Sequence, residues 1–318
     1  MNITRRIASA AAETMAILYL LAVLTGCEHR ELCYDHSHWV DLHIEFDWSD
    51  CPDADPHSMV TYLFPVDGGI PRCYEFGNIN GGIVRAPAGA YNAVAFNGET
   101  ETILETGDTF DSFMLTTDDE ELLAPLGRGI EEAPRLELTR DQPVRKAPDK
   151  VWSARSENVY VAPGVRGQKI RFTPNEATVR YHVVIRLEDG IGRAPGVSAA
   201  LSTLSEGYSP ASAHPVGRHV TVPIALRIAD ASTLKGDVDL FGHCHDGTEG
   251  KLHVLSLYTS NKYYYNYDVT DQIHDAQNPH EVTIEIEGVK LPEVDTGGGM
   301  IPDINDWTDI IDTDINMN

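Results

Sequence analysis

Lysine and arginine are scarce in this chain: 24 of them stand against 49 aspartates and glutamates, a formal charge of -25 over 318 residues. So acidic a surface repels phosphate backbones and excludes nucleic acid as a partner. It is also a poor match for anionic lipid head groups. Long apolar runs are lacking as well. The clean hydrophobic stretch extends only from Met15 to Leu24, too short for the roughly 20 residues a membrane-crossing helix needs. Signatures of catalysis are missing too. The chain holds no G-x-S-x-G elbow, P-loop, H-E-x-x-H pair or dinucleotide-binding fingerprint after a strand, and no enzyme activity is expected. Cysteine is sparse, at five residues.

The short apolar run has a context. Arg5 and Arg6 precede it and Leu24-Thr25-Gly26-Cys27 closes it, which describes a secretory signal peptide over residues 1–26. The order Leu, Thr, Gly, Cys resembles a bacterial lipobox, in which the chain is cut before cysteine and the thiol carries lipid. Cys27 is therefore the expected lipidation site, and outer-membrane lipid an expected partner through its acyl chains. The other reading is an ordinary signal peptide, with Cys27 left for a disulfide. An exported chain meets oxidising conditions, so Cys33, Cys51, Cys73 and Cys244 are free to pair, and spacing does not choose among the pairings. Sharing one domain favours a bond within Cys33, Cys51 and Cys73.

After a polar tether over 27–39, the strongest pattern is a strand. Val40, Leu42, Ile44, Phe46 and Trp48 alternate with Asp41, His43, Glu45 and Asp47, the period of a half-buried strand. Further strands read at 59–66, 73–76, 91–97 and 110–116. Glu120 to Leu126 supports a helical turn or two, and Leu136 and Leu138 read as a last strand of the first domain. Prolines and charges crowd 117–150, which places a domain boundary near residue 148. Beyond it, strands read at 159–161, 169–173, 179–187, 220–228, 238–241, 252–259, 263–269 and 281–288. Asn261-Lys262 sits where a hairpin turn belongs. Ser198 to Ser205 reads as a short helix or a bulged crossing between sheets. The expected architecture is all-β: antiparallel sandwiches over 40–148 and 149–292, then an acidic tail over 293–318 linked through Gly297-Gly298-Gly299.

Three other features invite chemistry. His36-Ser37-His38 and His243-Cys244-His245 each place two imidazoles on one strand face, but no third ligand follows from spacing, and no metal or cofactor is expected. Tyr263-Tyr264-Tyr265-Asn266-Tyr267 reads either as a contact platform for glycans or peptides or as strand core. The tail carries Trp307, Ile310, Ile311 and Ile315, unusual in a segment otherwise composed like a disordered one.

The lipobox, the residues Glu28 to Tyr34 after it, the Val40 to Trp48 strand, and the segments Tyr91 to Asn97 and Tyr264 to Thr270 together resemble an uncharacterised family of Bacteroidetes lipoproteins. That family is similar to the fimbrillin-type lipoproteins that anchor or cap fimbriae. The resemblance implies two transthyretin-like β-sandwiches, a location at the cell outer membrane, fimbrial subunits as partners, and a role in fimbria assembly or adhesion. It also implies that subunits join when a strand of one chain completes a sheet of another. The tail fits such a donor through Trp307, Ile311 and Ile315, which share one strand face with Asp309 and Thr313. Helical spacing through Ile304, Trp307 and Ile311 fits nearly as well. The alternative function is a surface glycan- or protein-binding lipoprotein using the tyrosine run.

Overall fold

The alternation at Val40 folds as β1 (Trp39–Phe46), with Val40, Leu42, Ile44 and Phe46 buried and the residues between them wet. The computed structural model describes residues 38–128, 132–191, 196–243, 251–292 and 307–309. It divides into a unit Met1–Trp39 and a unit Val40–Asn318. In the first, the His38 and Trp39 rings lie 6.1 Å apart. The second holds the fold.

Its strands follow in order as β2 (Met59–Pro65), β3 (Arg72–Phe76), β4 (Gly81–Pro87), β5 (Gly89–Asn97), β6 (Ile103–Thr106), β7 (Met114–Thr117), β8 (Trp152–Val161), β9 (Gln168–Phe172) and β10 (Asn175–Glu176). They continue as β11 (Val179–Leu187), β12 (Val197–Ser209), β13 (His214–Ala225), β14 (Arg227–Ile228), β15 (Thr233–Leu240), β16 (Val254–Thr259), β17 (Tyr263–Asp268), β18 (Glu281–Val289) and β19 (Thr308–Asp309). One short helix, α1 (Thr270–His274), precedes β18. The all-β expectation holds.

Two sandwiches result. In the first, the sheet β4-β1-β9 faces the sheet β10-β8-β5-β2-β3 over a core of Leu42, Ile44, Met59, Leu63, Tyr91 and Phe172. In the second, β14-β15-β11-β18 faces β19-β17-β16-β12-β7-β6, with β13 also on β12, over Tyr181, Ile185, Leu201, Leu255, Tyr265 and Ile284. Strand pairing does not follow the expected division at residue 148. β8, β9 and β10 complete the first sandwich, while β6 and β7 join the second through β12. The physical reason is that burial faces, not the composition of a connecting segment, decide which strands meet. Three strand pairings among the described residues, β1 with β9, β11 with β18 and β17 with β19, are parallel. Reading consecutive strands as hairpins cannot anticipate these, because parallel partners need a crossover.

A third core joins the sandwiches. Phe64, Val94 and Phe96, on the far face of the first sandwich's larger sheet, pack with Phe110, Phe113, Leu115, Tyr208 and Phe241. β12 makes this possible: it pairs with β16 over Val197–Leu201, then continues through bulges to meet β7 at Gly207 and Tyr208. The stretch from Ser198 is thus the bulged crossing, not a helix. Gly207 lies so close to β7 that a β-carbon there would stand 2.5 Å from the Leu115 carbonyl oxygen. Gly207→Ala is expected to cost about 1–3 kcal/mol, the usual scale for overpacking, and urea denaturation checks it.

The proline-rich segment crosses the outer face of the second sandwich. Its Leu136 and Leu138 do not form a strand. Glu137–Thr139 is a 3-10 turn, with Leu138 71% exposed, and the segment meets a strand edge only further on, where Val144 bridges Thr221 of β13. Cys51 and Cys73 are free thiols, so no bond joins those two. Cys33 and Cys244 lie outside the described residues.

Candidate functional site

The turn at Asn261-Lys262 forms as its residues predict, with the Lys262 amide donating to the Thr259 carbonyl at 3.1 Å. It sets the register of β16 and β17, placing Tyr258 opposite Tyr264 and Leu257 opposite Tyr265. Alternation then divides the tyrosine run. Tyr265 and Tyr267 are buried in the core of the second sandwich, with Tyr263 packed beside them. Tyr264 turns to the other face and stacks on Tyr258, with centroids 6.4 Å apart and planes at 15°. The run is strand core rather than an exposed aromatic platform.

On that other face a small apolar cluster forms from Leu122, Leu123, Ala200 and Tyr258, with Leu126, Ala133, Val144, Tyr264 and Trp307 around it. Tyr258 is wholly buried, which pushes its hydroxyl up to about 12. It therefore stays protonated and donates to the Pro134 carbonyl at 2.9 Å. Trp307 closes the cluster edge-on to Tyr258, with centroids 5.8 Å apart and planes at 86°. Its indole N–H donates to the Glu132 carbonyl at 3.0 Å. Directly after it, β19 adds to the edge of β17 in parallel, Thr308 beside Tyr263 and Asp309 beside Tyr264. A polar cleft lined by Glu120, Glu132, Arg135, Arg140 and Tyr264 opens alongside.

Of the residues the sequence singled out, Trp307 is thus seated on the second sandwich. Cys27, Ile311 and Ile315 lie outside the described residues. The receiving side, Tyr258 with the carbonyls of Glu132 and Pro134, was not singled out. Pairing across the Asn261-Lys262 turn would have put Tyr258 opposite Tyr264, but nothing local marks the two carbonyls. What the site can do is accept backbone: an edge strand offers a row of peptide groups, and an adjoining aromatic pocket selects a large side chain.

Other candidates carry less. His243, His253 and His274 have ring centroids 5.0–5.4 Å apart, yet among the described residues no three His, Cys, Asp or Glu side chains are placed to hold a metal ion. Of the His-x-His pairs, only His38 and His243 are among the described residues. No helix among those residues is long and apolar enough to cross a membrane.

A protein of Bacteroides ovatus named "Putative fimbrium anchoring subunit Fim4B" is 30% identical over 94 residues. These make up 30% of this chain and 28% of that protein, so the match spans under a third of the relative's length. Among solved structures, a "putative adhesin" from Bacteroides ovatus shares the fold with a TM-score of 0.62 at 16% identity, over 86% of this chain and 99% of its own. "Putative polysaccharide binding proteins" from Bacteroides thetaiotaomicron follow at 0.53 and 11%, over 78% and 90%. At such identities the two structures speak for the fold alone. A family model described as a domain of unknown function, DUF5119, matches residues 26–225. That span is more than half of the chain, and the chain belongs to this family.

Proposed function

We propose that the chain is a non-enzymatic lipoprotein of the cell envelope that anchors fimbriae or serves them as an accessory subunit. Cys27 would hold it to the outer membrane, and its C-terminal segment would serve as the strand exchanged with a fimbrial subunit. The observation that carries this reading is the seat of Trp307 and β19 on β17. It supports the view that this segment takes a strand conformation against a sheet edge and brings a side chain that fits an aromatic pocket. The name of the relative from Bacteroides ovatus supports the same direction. The burial of Tyr265 and Tyr267 counts against a glycan platform on that strand.

Deletion of Met300–Asn318 tests the role of the tail. Cells carrying the deletion are expected to show fewer fimbriae, or fimbriae shed into the medium, by electron microscopy and blotting. Unchanged number, length and attachment would remove the exchange of this segment from the reading. The anchor is tested separately by metabolic palmitate labelling. The parent chain is expected to take label and Cys27→Ala to lose it, whereas equal label in both would end the lipoprotein reading.

A further inference from the structure

The end of the first sandwich at which β1 begins carries half of the eight large apolar side chains that are exposed among the described residues. These four are Val66 at 58% exposure, Ile70 at 86%, Tyr160 at 68% and Val165 at 49%. They converge because of strand register. The Val66 amide donates to the Ala90 carbonyl at 2.9 Å, and Ala90 pairs with Tyr160. Directly paired residues share a sheet face, so Val66, Ala90 and Tyr160 form one row across the end of the sheet. Ile70 stands in the loop between β2 and β3, and Val165 in the loop between β8 and β9.

The second loop is held in shape. The Gln168 side chain accepts from the Ala162 amide at 2.7 Å and donates to the carbonyls of Ala162 and Val165 at 2.9 and 3.2 Å. Gly164 and Gly167, both at φ 72°, turn the chain around it. Val165 and Arg166 are thereby presented outward on a loop that is already formed.

The same end lies nearest the proposed anchor along the chain. β9 runs parallel to β1 with Gln168 beside Leu42, so the loop before β9 and the start of β1 share one end. Eleven residues separate Cys27 from Trp39, which limits their reach to about 40 Å. Charge fits as well. In a chain of -25, these two loops carry Asp67 against Arg166, with Arg72 at the exit of the first. A tip of aliphatic side chains and a tyrosine with arginines around it is the composition that settles at a membrane interface.

We propose that this end of the first sandwich rests on the lipid surface that holds Cys27, with Val66, Ile70, Tyr160 and Val165 entering the head-group layer. The proposal depends on the lipoprotein reading above. Acyl chains supply the holding; the tip fixes the orientation, so that the β17 edge is presented at a set angle to the membrane.

The test uses the acylated full chain, purified from membranes and reconstituted into phosphatidylcholine and phosphatidylethanolamine vesicles containing lipid brominated near the head group. Tryptophan is introduced as Val165→Trp or, independently, Ile70→Trp. Asp55→Trp serves as control, since it is exposed in the loop between the far end of β1 and β2, roughly 25 Å away by strand rise. After subtraction of the parent's fluorescence, the two tip variants are expected to be quenched several-fold more than the control. Equal quenching in all three, on protein that carries palmitate, would overturn the proposal and leave the anchor standing. Absence of palmitate would fail the anchor and the proposal together. A photo-crosslinker at Ile70 in cells is expected to give a lipid adduct; a discrete protein adduct would show the tip covered by a protein instead and overturn the proposal.

Discussion

Glu206→Ala is expected to lower the unfolding free energy by about 3–5 kcal/mol, the cost of leaving one partner of a buried ion pair uncompensated. Glu206 sits on β12 where that strand passes from β16 to β7. Its carboxylate accepts from the Arg145 guanidinium at 2.6 Å and from Arg218 at 3.1 Å. Arg145 comes from the proline-rich segment and also reaches Asp119 at 2.9 Å and the Thr117 carbonyl of β7 at 3.3 Å. The two side chains of the central pair are only 18% and 14% exposed. Burial pushes the Glu206 carboxyl up, but hydrogen bonds from Arg145 and Arg218 outweigh it and hold the group below its ordinary 4.5. The Arg145 Nε–H is buried without a partner, and once the carboxylate goes the guanidinium keeps only the exposed Asp119 and the Thr117 carbonyl. Urea denaturation of the single variant measures the cost. The double variant Arg145→Met, Glu206→Leu is expected to recover most of it, because an apolar pair of similar volume replaces a pair that was expensive to desolvate. A single-variant loss under about 1 kcal/mol, the scale of an exposed pair, would show that water reaches the site.

This junction also shows where sequence reading stops. β1 and β11 were legible because alternation over eight or nine residues gives one dry face and one wet face, a pattern with few other solutions. The hairpin at Asn261-Lys262 was legible from its turn residues. What joins the halves was not. Arg145 and Glu206 are 61 positions apart, and nothing local distinguishes either from the exposed charges around it. Gly207 looks like any glycine until β7 lies against it. Likewise the fit of the tail came half from sequence. Trp307 stood out by residue type, while its indole N–H donates to a backbone carbonyl and its ring packs edge-on against a tyrosine of another segment, and carbonyls leave no mark in a sequence.

Acid is expected to weaken the second sandwich from about pH 6.5 downward, above the window in which the lowered carboxylates act. His253, just before β16, is 2% exposed, and its burial pulls the imidazole from 6.5 down to about 4. The Ser202 carbonyl, 3.3 Å from its Nδ1, partly opposes that shift, while His274 and His219 reinforce it and Asp268 opposes it weakly. Around it the His243 and His274 rings stand at 5.4 and 5.1 Å, and the Lys251 ammonium lies 2.5 Å from His219. The folded state therefore keeps His253 neutral where the unfolded chain would protonate it. Between pH 6.5 and 4 the unfolded state binds more protons, so stability is full above 6.5 and falls as pH drops through that window. At about 1.4 kcal/mol per unit, the loss approaches roughly 3 kcal/mol at pH 4. Carboxylates held below their ordinary values, Glu206, Glu99 and Asp237 among them, add to acid lability mainly below 4.5, which leaves the upper part of the window to histidine. Denaturation midpoints at pH 7, 5.5 and 4.5 should accordingly fall in step for the parent chain. His253→Phe, which cannot take the proton, should be less stable at pH 7 through the lost Ser202 contact yet nearly flat from 7 to 4.5. An equal decline in that variant would place the proton on another group.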